Sequence, residues 1–282
     1  MLGRLRTFIE TVYLPDVVAV AGAFPSYFEL GRGCGNFLTY GAFPEDDDGG
    51  SPFYPSGVLV GNQLQALNTD AITEDVRYSW YSSASGRKPT EGETKPDPTK
   101  AGAYSWLKAP RYDGRPLEVG PLARLLVAYH DGRNAALKSA VDGLLKAVGR
   151  GPQDLVSVLG RHATRALEAK LLVDRCSEWI EQLVPDQPSC CDFTIPASGS
   201  GIGLTEAARG ALGHWLEIRE HKIANYQCVV PTTWNCSPRD DRDQSGPVEQ
   251  ALVGTPIADP KSPIEAARVI RSFDPCLACA VH

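Results

Sequence analysis

The 282-residue chain has no run of about 18 apolar residues, so nothing in it reads as a membrane-spanning helix. It has no basic stripe. Its 28 Lys+Arg against 34 Asp+Glu leave a formal charge of −6, which argues against nucleic acid as a partner. The start, Met1 to Arg6, lacks a long apolar core and runs into an amphipathic pattern, so no signal peptide is expected. No complete dinucleotide or P-loop pattern occurs. GRGCGN (31–36) and SGSGIG (198–203) are glycine-rich, but neither has the strand and helix that a phosphate cradle needs. EDDDGG (45–50) is acidic without EF-hand ligand spacing and reads as a solvated surface loop. There is no internal repeat. There is one CxxC, no second, and no HxxxH, so no complete zinc site can be written from local spacing.

What remains is an ordinary globular composition, 43% hydrophobic and 22% charged, in a chain long enough for one large domain or two small ones. Arg6 to Val20 reads as a helix disturbed at Pro15. Residues 82–103 are polar and read as a long loop. Leu117 to Gly149 reads as helix with a break at Asp131-Gly132. Asp154 to Leu183 carries the clearest helical pattern: Leu155, Leu159, His162, Ala166, Ala169, Val173, Cys176 and Ile180 recur at three and four. Asp154 is its expected N-cap, Pro185 stops it, and His162 is read as a packed core histidine. Pro185 to Gly203 is read as loop. His214–Ile218 and Ile223–Val230 form a small hairpin around Arg219–Lys222. The last helix starts at Ser262 as N-cap, with Pro263 at the first position and Glu265 completing a capping box, and runs to about Ile270. The expected fold is mainly α (α+β): a helical bundle with a small β-hairpin element.

Eight cysteines are many for such a chain. Cys176 and Cys228 read as buried free thiols. Cys190 and Cys191 are vicinal and can hardly bridge each other. Only Cys276 and Cys279 have ligand spacing, with His282 three positions further on. Thiolates are the soft donors that nickel, zinc and iron accept. By itself the pair is also compatible with a redox dithiol, a zinc knuckle or a plain disulfide. A thioredoxin-like pair, however, wants a βαβ setting, and a knuckle wants further ligands.

The flanking residues narrow this. DPCLACAVH (274–282), preceded by Ser272 and Phe273, resembles the C-terminal motif of nickel–iron hydrogenase large subunits, after whose histidine a maturation protease cuts. Two further blocks resemble that family in the same order: EAARGALGHW (206–215), and KIANYQCVVPTTWN (222–235) running on to SPRD (237–240). Weaker similarity reaches back through EVGPLAR (118–124) and APRY (109–112) to YLPD (13–16), so nearly the whole chain is covered. The family's other CxxC, in an RxCGxC setting near the start of the large subunit, has no counterpart here. The resemblance is therefore to the C-terminal half: either the subunit is split into two polypeptides, or the chain is a fragment or a degenerate relative, and residues 1–282 are expected to form a single domain completed by a separate N-terminal half.

The resemblance implies a Ni-Fe(CO)(CN)2 centre held by four thiolates, two from each half, that cleaves or forms H2 heterolytically. By motif position Cys276 would be terminal on nickel and Cys279 would bridge nickel and iron. Cys276 would be the favoured proton acceptor, with Arg209 the other candidate base. Arg209 would stand over the open metal position, and Asp274 would bond or pair at the site. Val230, Pro231 and Thr232 would wrap the cyanides, with Thr232 as the side-chain donor. His282 and the backbone carbonyl of Cys228 would serve Mg2+. His214 is given no catalytic role. The family has proline before the arginine and this chain has Ala208, which puts the arginine's placement in question. Electrons would leave through iron–sulfur clusters of a small subunit, with a membrane cytochrome b as a further partner. The wording of the motifs is most like uptake hydrogenases, which implies a periplasmic site or membrane association through the small subunit; a cytoplasmic site stays open. The alternative is an inactive hydrogenase-like metal-binding or structural subunit.

Overall fold

The structure is a computed structural model, and it describes residues 1–46, 51–188, 190 and 192–280. Its first element is one continuous helical rod. Helix α1 (Leu2–Phe8) passes through a wide π-helical turn, Ile9–Tyr13, into α2 (Leu14–Ala23). The widening sits just before Pro15, which has no N–H to give to the carbonyl four residues back. The helix therefore absorbs the proline as a bulge, with Leu14 N–H reaching Ile9 O instead of breaking.

Short antiparallel strands follow. β1 (Phe37–Thr39) pairs with β4 (Gly57–Val60), and β4 with β5 (Gln63–Gln65). β2 (Ala42–Pro44) pairs with β3 (Pro52–Tyr54), and β6 (Ile72–Asp75) with β7 (Ala109–Tyr112). Between β6 and β7, residues 82–103 run mostly as turns and isolated bridges, as their polarity suggested.

Helices α3 (Pro121–Asp131) and α4 (Ala135–Val148) meet at the expected break, where Gly132 takes a left-handed φ of 70° and Asn134 caps α4 through its side chain. The long helix α5 (Val158–Glu181) is the backbone of the molecule. It starts later than Asp154. Ser157 is the N-cap, its Oγ accepting from Gly160 N at 3.0 Å, while Asp154 closes a short 3-10 turn by accepting from Gly151 N. α5 ends before Pro185.

The larger departure lies in residues 198–230. In place of a loop and a small hairpin there is a three-stranded meander of β8 (Ser198–Ala207), β9 (Gly210–Arg219) and β10 (Lys222–Val229), in the order β10-β9-β8. The fold is mixed α and β around α3 and α5, and not a helical bundle carrying one hairpin. The sequence hid β8 because Ser198–Gly203 is mostly glycine and serine, residues of low strand propensity. Its pairing is dictated by the partner, all the way from Ser198↔Arg219 to Ala207↔Gly210. Beyond β10 come α6 (Pro231–Asn235), α7 (Pro247–Leu252), α8 (Ile264–Ser272) and α9 (Leu277–Ala280). For α8 the capping expected from Ser262 and Glu265 is not made. Pro263 is the N-cap residue, without a side-chain cap bond.

Among the described residues two larger apolar cores and two smaller ones hold these layers. Of the larger two, one gathers Leu122, Leu125, Leu126, Leu137, Val141, Leu155, Ala163 and Leu167 from α3, α4 and α5 over the β1/β4 strands. The other packs Leu38, Val58, Ile72, Tyr112, Trp215, Val229 and Trp234 between the small sheets and the meander. The candidate site sits where the second core meets the C-terminal tail.

Candidate metal centre

The site is built from three segments far apart in sequence. The first is the tip of the β8–β9 hairpin. Ala207 pairs with Gly210, so Ala208 and Arg209 form a two-residue connection with Arg209 at its apex. Gly210 is extended in the left-handed half of the map, at φ 132°, and lies back to back with Gly120, at φ 122°. A Cβ on Gly210 would come within 2.6 Å of Gly120 N, so only glycine permits this approach. The second segment is the β10–α6 junction. Val230 precedes the helix, Pro231 occupies its first position, and Thr232 is 2% exposed. Asn235 ties this turn to the chain before α3, accepting from Val119 N and donating to Val119 O, both at 3.0 Å. The third is the tail after α8. Phe273 is buried under the Arg161 guanidinium, 3.7 Å from its ring centroid. Asp274 takes a left-handed φ of 52°, which turns the chain towards Cys276.

These segments bond to one another. Arg209 Nε donates to the Asp274 carbonyl at 2.7 Å and stands 3.3 Å from Asp274 Oδ2. Cys276 N–H donates to Thr232 Oγ1 at 3.0 Å. Cys279 N–H donates to the Cys276 carbonyl at 3.1 Å, which folds the CxxC into a turn. The two thiols are unlike. The Cys279 thiol and N–H donate to the Cys276 sulfur and, with the Arg209 charge nearby, hold the Cys276 thiol below its ordinary value. Burial pushes Cys279 up to about 11, and its donation to Cys276 adds to this. Cys276 is thus the readier thiolate, and the half-buried Arg209 is the cation beside it.

Among the described residues no group of three or more His, Cys, Asp and Glu could hold a metal ion by itself. By themselves the two thiols are an incomplete donor set. A soft pair, one member already inclined to ionise, with a guanidinium alongside, fits a thiolate-bound metal completed by further thiolates from elsewhere.

A family model for nickel-dependent hydrogenases matches residues 1–282. The chain belongs to that family. It is 39% identical over 99% of its length to the periplasmic [NiFeSe] hydrogenase large subunit of Desulfomicrobium baculatum, of which it covers 55%. It is 37% identical over its whole length to the hydrogenase-2 large chain of Escherichia coli K12, of which it covers 54%. Among solved structures it superposes on the Ni-Fe-Se hydrogenase of D. vulgaris Hildenborough with a TM-score of 0.90 at 38% identity, covering all of this chain and 60% of that one. The chain thus spans about half the length of the hydrogenase large subunits it matches.

Of the residues that the hydrogenase resemblance singled out, Arg209, Asp274, Thr232, Cys276 and Cys279 come together through the contacts above. Val230 and Pro231 shape the turn that presents Thr232. Cys228 ends in an exposed position on β10 rather than buried, close enough for its charge to bear on Cys279. Cys176 is likewise only half-buried. His282 and Cys191 lie outside the described residues. His214, paired across the strands with Cys228, is hydrogen-bonded to the Tyr226 hydroxyl on the meander.

The sequence reading missed what holds these residues in place. Arg124, 3% exposed, pairs with both Glu168 and Glu206 and donates to the hairpin tip. Arg161 pairs with Glu118, and Arg165 donates to Ser272 O at 3.0 Å. The available signal was Arg161, Arg165 and Glu168 recurring at four and three along a helix whose apolar stripe was already plain.

Proposed function

We propose that this chain is the C-terminal part of a nickel–iron hydrogenase catalytic subunit, and that it cleaves or forms H2 heterolytically once a complementary N-terminal half supplies the other two thiolates. The observation that carries this is the convergence at one point of Arg209, Thr232 and the Cys276/Cys279 pair, from three blocks separated by 23 and 44 residues along the chain. When bound, a Ni-Fe(CO)(CN)2 centre supplies a Lewis-acidic, redox-active place for H2 to be polarised. Cys276 and Cys279 would hold it through their sulfurs. Cys276 Sγ would take the proton, since a guanidinium hardly gives one up and so hardly serves as the base. Arg209 orients donors over the centre and compensates developing negative charge. Thr232 Oγ1, while accepting from Cys276 N–H, keeps its own O–H as a donor for a cyanide nitrogen. Asp274 steadies Arg209 through its carbonyl and carboxylate. His282 and the Cys228 carbonyl serve Mg2+.

In this reading electrons pass to iron–sulfur clusters of a small subunit and on to a membrane cytochrome b; the complex sits in the periplasm or on the membrane through that subunit. No helix among the described residues is long and apolar enough to cross a membrane. The uptake hydrogenase large subunit of Bradyrhizobium diazoefficiens, to which the chain is 37% identical over its whole length, supports an uptake-type role, and the periplasmic relative supports the location. The second reading, an inactive metal-binding or structural subunit, rests on the half-complete donor set. H2-dependent dye reduction and nickel content of the complex isolated through this chain decide between them. Turnover that vanishes together with nickel in Cys276→Ser supports the enzyme. A nickel-free wild-type complex without turnover favours the structural subunit.

A further inference from the structure

We propose that Arg124 is a positioning residue for Arg209: it locks the hairpin tip so that the Arg209 guanidinium is aimed at the cysteine pair. The inference rests on the proposed hydrogenase reading for its consequence in turnover, and on the fold alone for its mechanics.

Arg124 lies on α3, and its side chain is 4% exposed. Its Nε and Nη2 form a fork on Glu168 of α5, at 2.6 and 2.7 Å. Its Nη1 pairs with Glu206 at 2.7 Å and donates to Ala207 O at 3.0 Å, and Nη2 also donates to Ala208 O at 3.0 Å. The two carbonyls it grips are those immediately before Arg209. Glu206 is fixed from its other side by Tyr40 N–H at 2.8 Å. The opposite flank of the tip is closed by the Gly120–Gly210 contact, where even a Cβ on Gly120 would meet Arg209 O at 3.0 Å. The apex residue is therefore held on both sides by groups that cannot give. Only the side chain of Arg209, 38% exposed, is free to face the site.

The same helix that anchors Arg124 also holds the tail. Arg165 of α5 donates to Ser272 O, and Arg161 stacks on Phe273. Glu168, Arg165 and Arg161 thus refer the arginine hairpin and the cysteine tail to one rigid element. This geometry also answers the question raised by Ala208. The backbone stiffness that a proline would give before the arginine is supplied by a guanidinium clamp on its carbonyl.

A lysine at position 124 keeps the positive charge between two buried carboxylates. Its single ammonium has three donors and no fork, so it cannot hold both carboxylates and both carbonyls. Arg124→Lys is therefore the variant to make, in the complex isolated through this chain. We expect H2 turnover to fall about ten- to a hundredfold, with nickel content unchanged, because a small misplacement of an aligned group costs on that order. Arg209→Lys should fall similarly, and the double variant Arg124→Lys/Arg209→Lys should be no worse than Arg209→Lys alone, since one residue acts through the other. Losses that multiply in the double variant overturn the proposal. A second arm needs no turnover: amide hydrogen exchange of the 204–212 segment in the complex isolated through this chain. Arg124→Lys should speed exchange at residues 208–210 and leave the distal β9–β10 turn unchanged. Unchanged exchange at the tip overturns the proposal even if turnover falls. Should the wild-type complex show no turnover, the hydrogenase reading fails while the exchange arm still decides whether Arg124 positions the tip.

Discussion

Replacing Arg111 by methionine should cost about 3 kcal/mol of stability, and the structure shows why the figure is not larger. Arg111 and Asp240 are each 1% exposed and 2.7 Å apart. The guanidinium also donates to the Pro110, Pro238 and Gln244 carbonyls and to Ser237 Oγ, at 2.9 to 3.1 Å. Removing one member of such a buried pair costs about 3–5 kcal/mol, because the other charge is left uncompensated. Here part of that is offset. Asp240 Oδ1 keeps the Arg242 and Gln244 N–H donors, and Gln244 O keeps Asp240 N–H. The lower end of the range follows. With a urea slope of about 3 kcal/mol/M, the unfolding midpoint should fall by roughly 1 M. Fluorescence of the fully buried Trp234, three residues before Ser237, reports the change. The double variant Arg111→Met/Asp240→Asn should recover part of the loss, since both charges are then gone. A single-variant loss under about 1 kcal/mol, or a double variant worse than the sum, would refute the reasoning.

Two further outcomes follow from groups away from the metal ligands. His162 is held below the ordinary histidine value of 6.5, first by burial and then by the Arg165 and Arg161 charges, with Asp274 opposing. Its folded value is depressed, so its neutral form stabilises the fold above pH 6.5, and that stabilisation is lost as pH falls through the folded value. His162→Gln should flatten the acid limb of the melting temperature below about pH 6.5; an unchanged limb would contradict this. At the β9–β10 turn, Glu220 and His221 both adopt positive φ, at 52° and 59°. Glu220→Asn with His221→Gly should raise stability by roughly 1–2 kcal/mol in the same urea titration, since those residues tolerate that turn; no gain would mean that the strain is not stored there.

What the sequence disclosed and what it withheld divide along physical lines. The disturbance at Pro15 and the break at Gly132 were legible because proline and glycine act through their own backbone chemistry. The site blocks were legible as wording, from Arg209 to Thr232 to Cys279. The body of the fold was read as too helical because β8 carries almost no strand propensity of its own and is held by β9. The start of α5 was misplaced because Asp154 and Ser157 are both capping residues in one short stretch, and only geometry selects Ser157. The clamp on the hairpin tip was out of reach for a different reason. Arg124, Glu168 and Glu206 are 44 and 82 residues from one another along the chain when counted from Arg124, and a lone charged residue in sequence reads as surface until its partners are seen. The APRY and SPRD blocks resembled the family separately; the Arg111–Asp240 pair explains why they occur together.

The central claim is that Cys276 and Cys279 hold half of a nickel–iron centre, and the infrared spectrum of the protein purified with everything that travels with it tests this most directly. The account predicts stretching bands of metal-bound CO and cyanide that disappear in Cys279→Ser. A preparation fully loaded with nickel and iron that shows no such bands would contradict it.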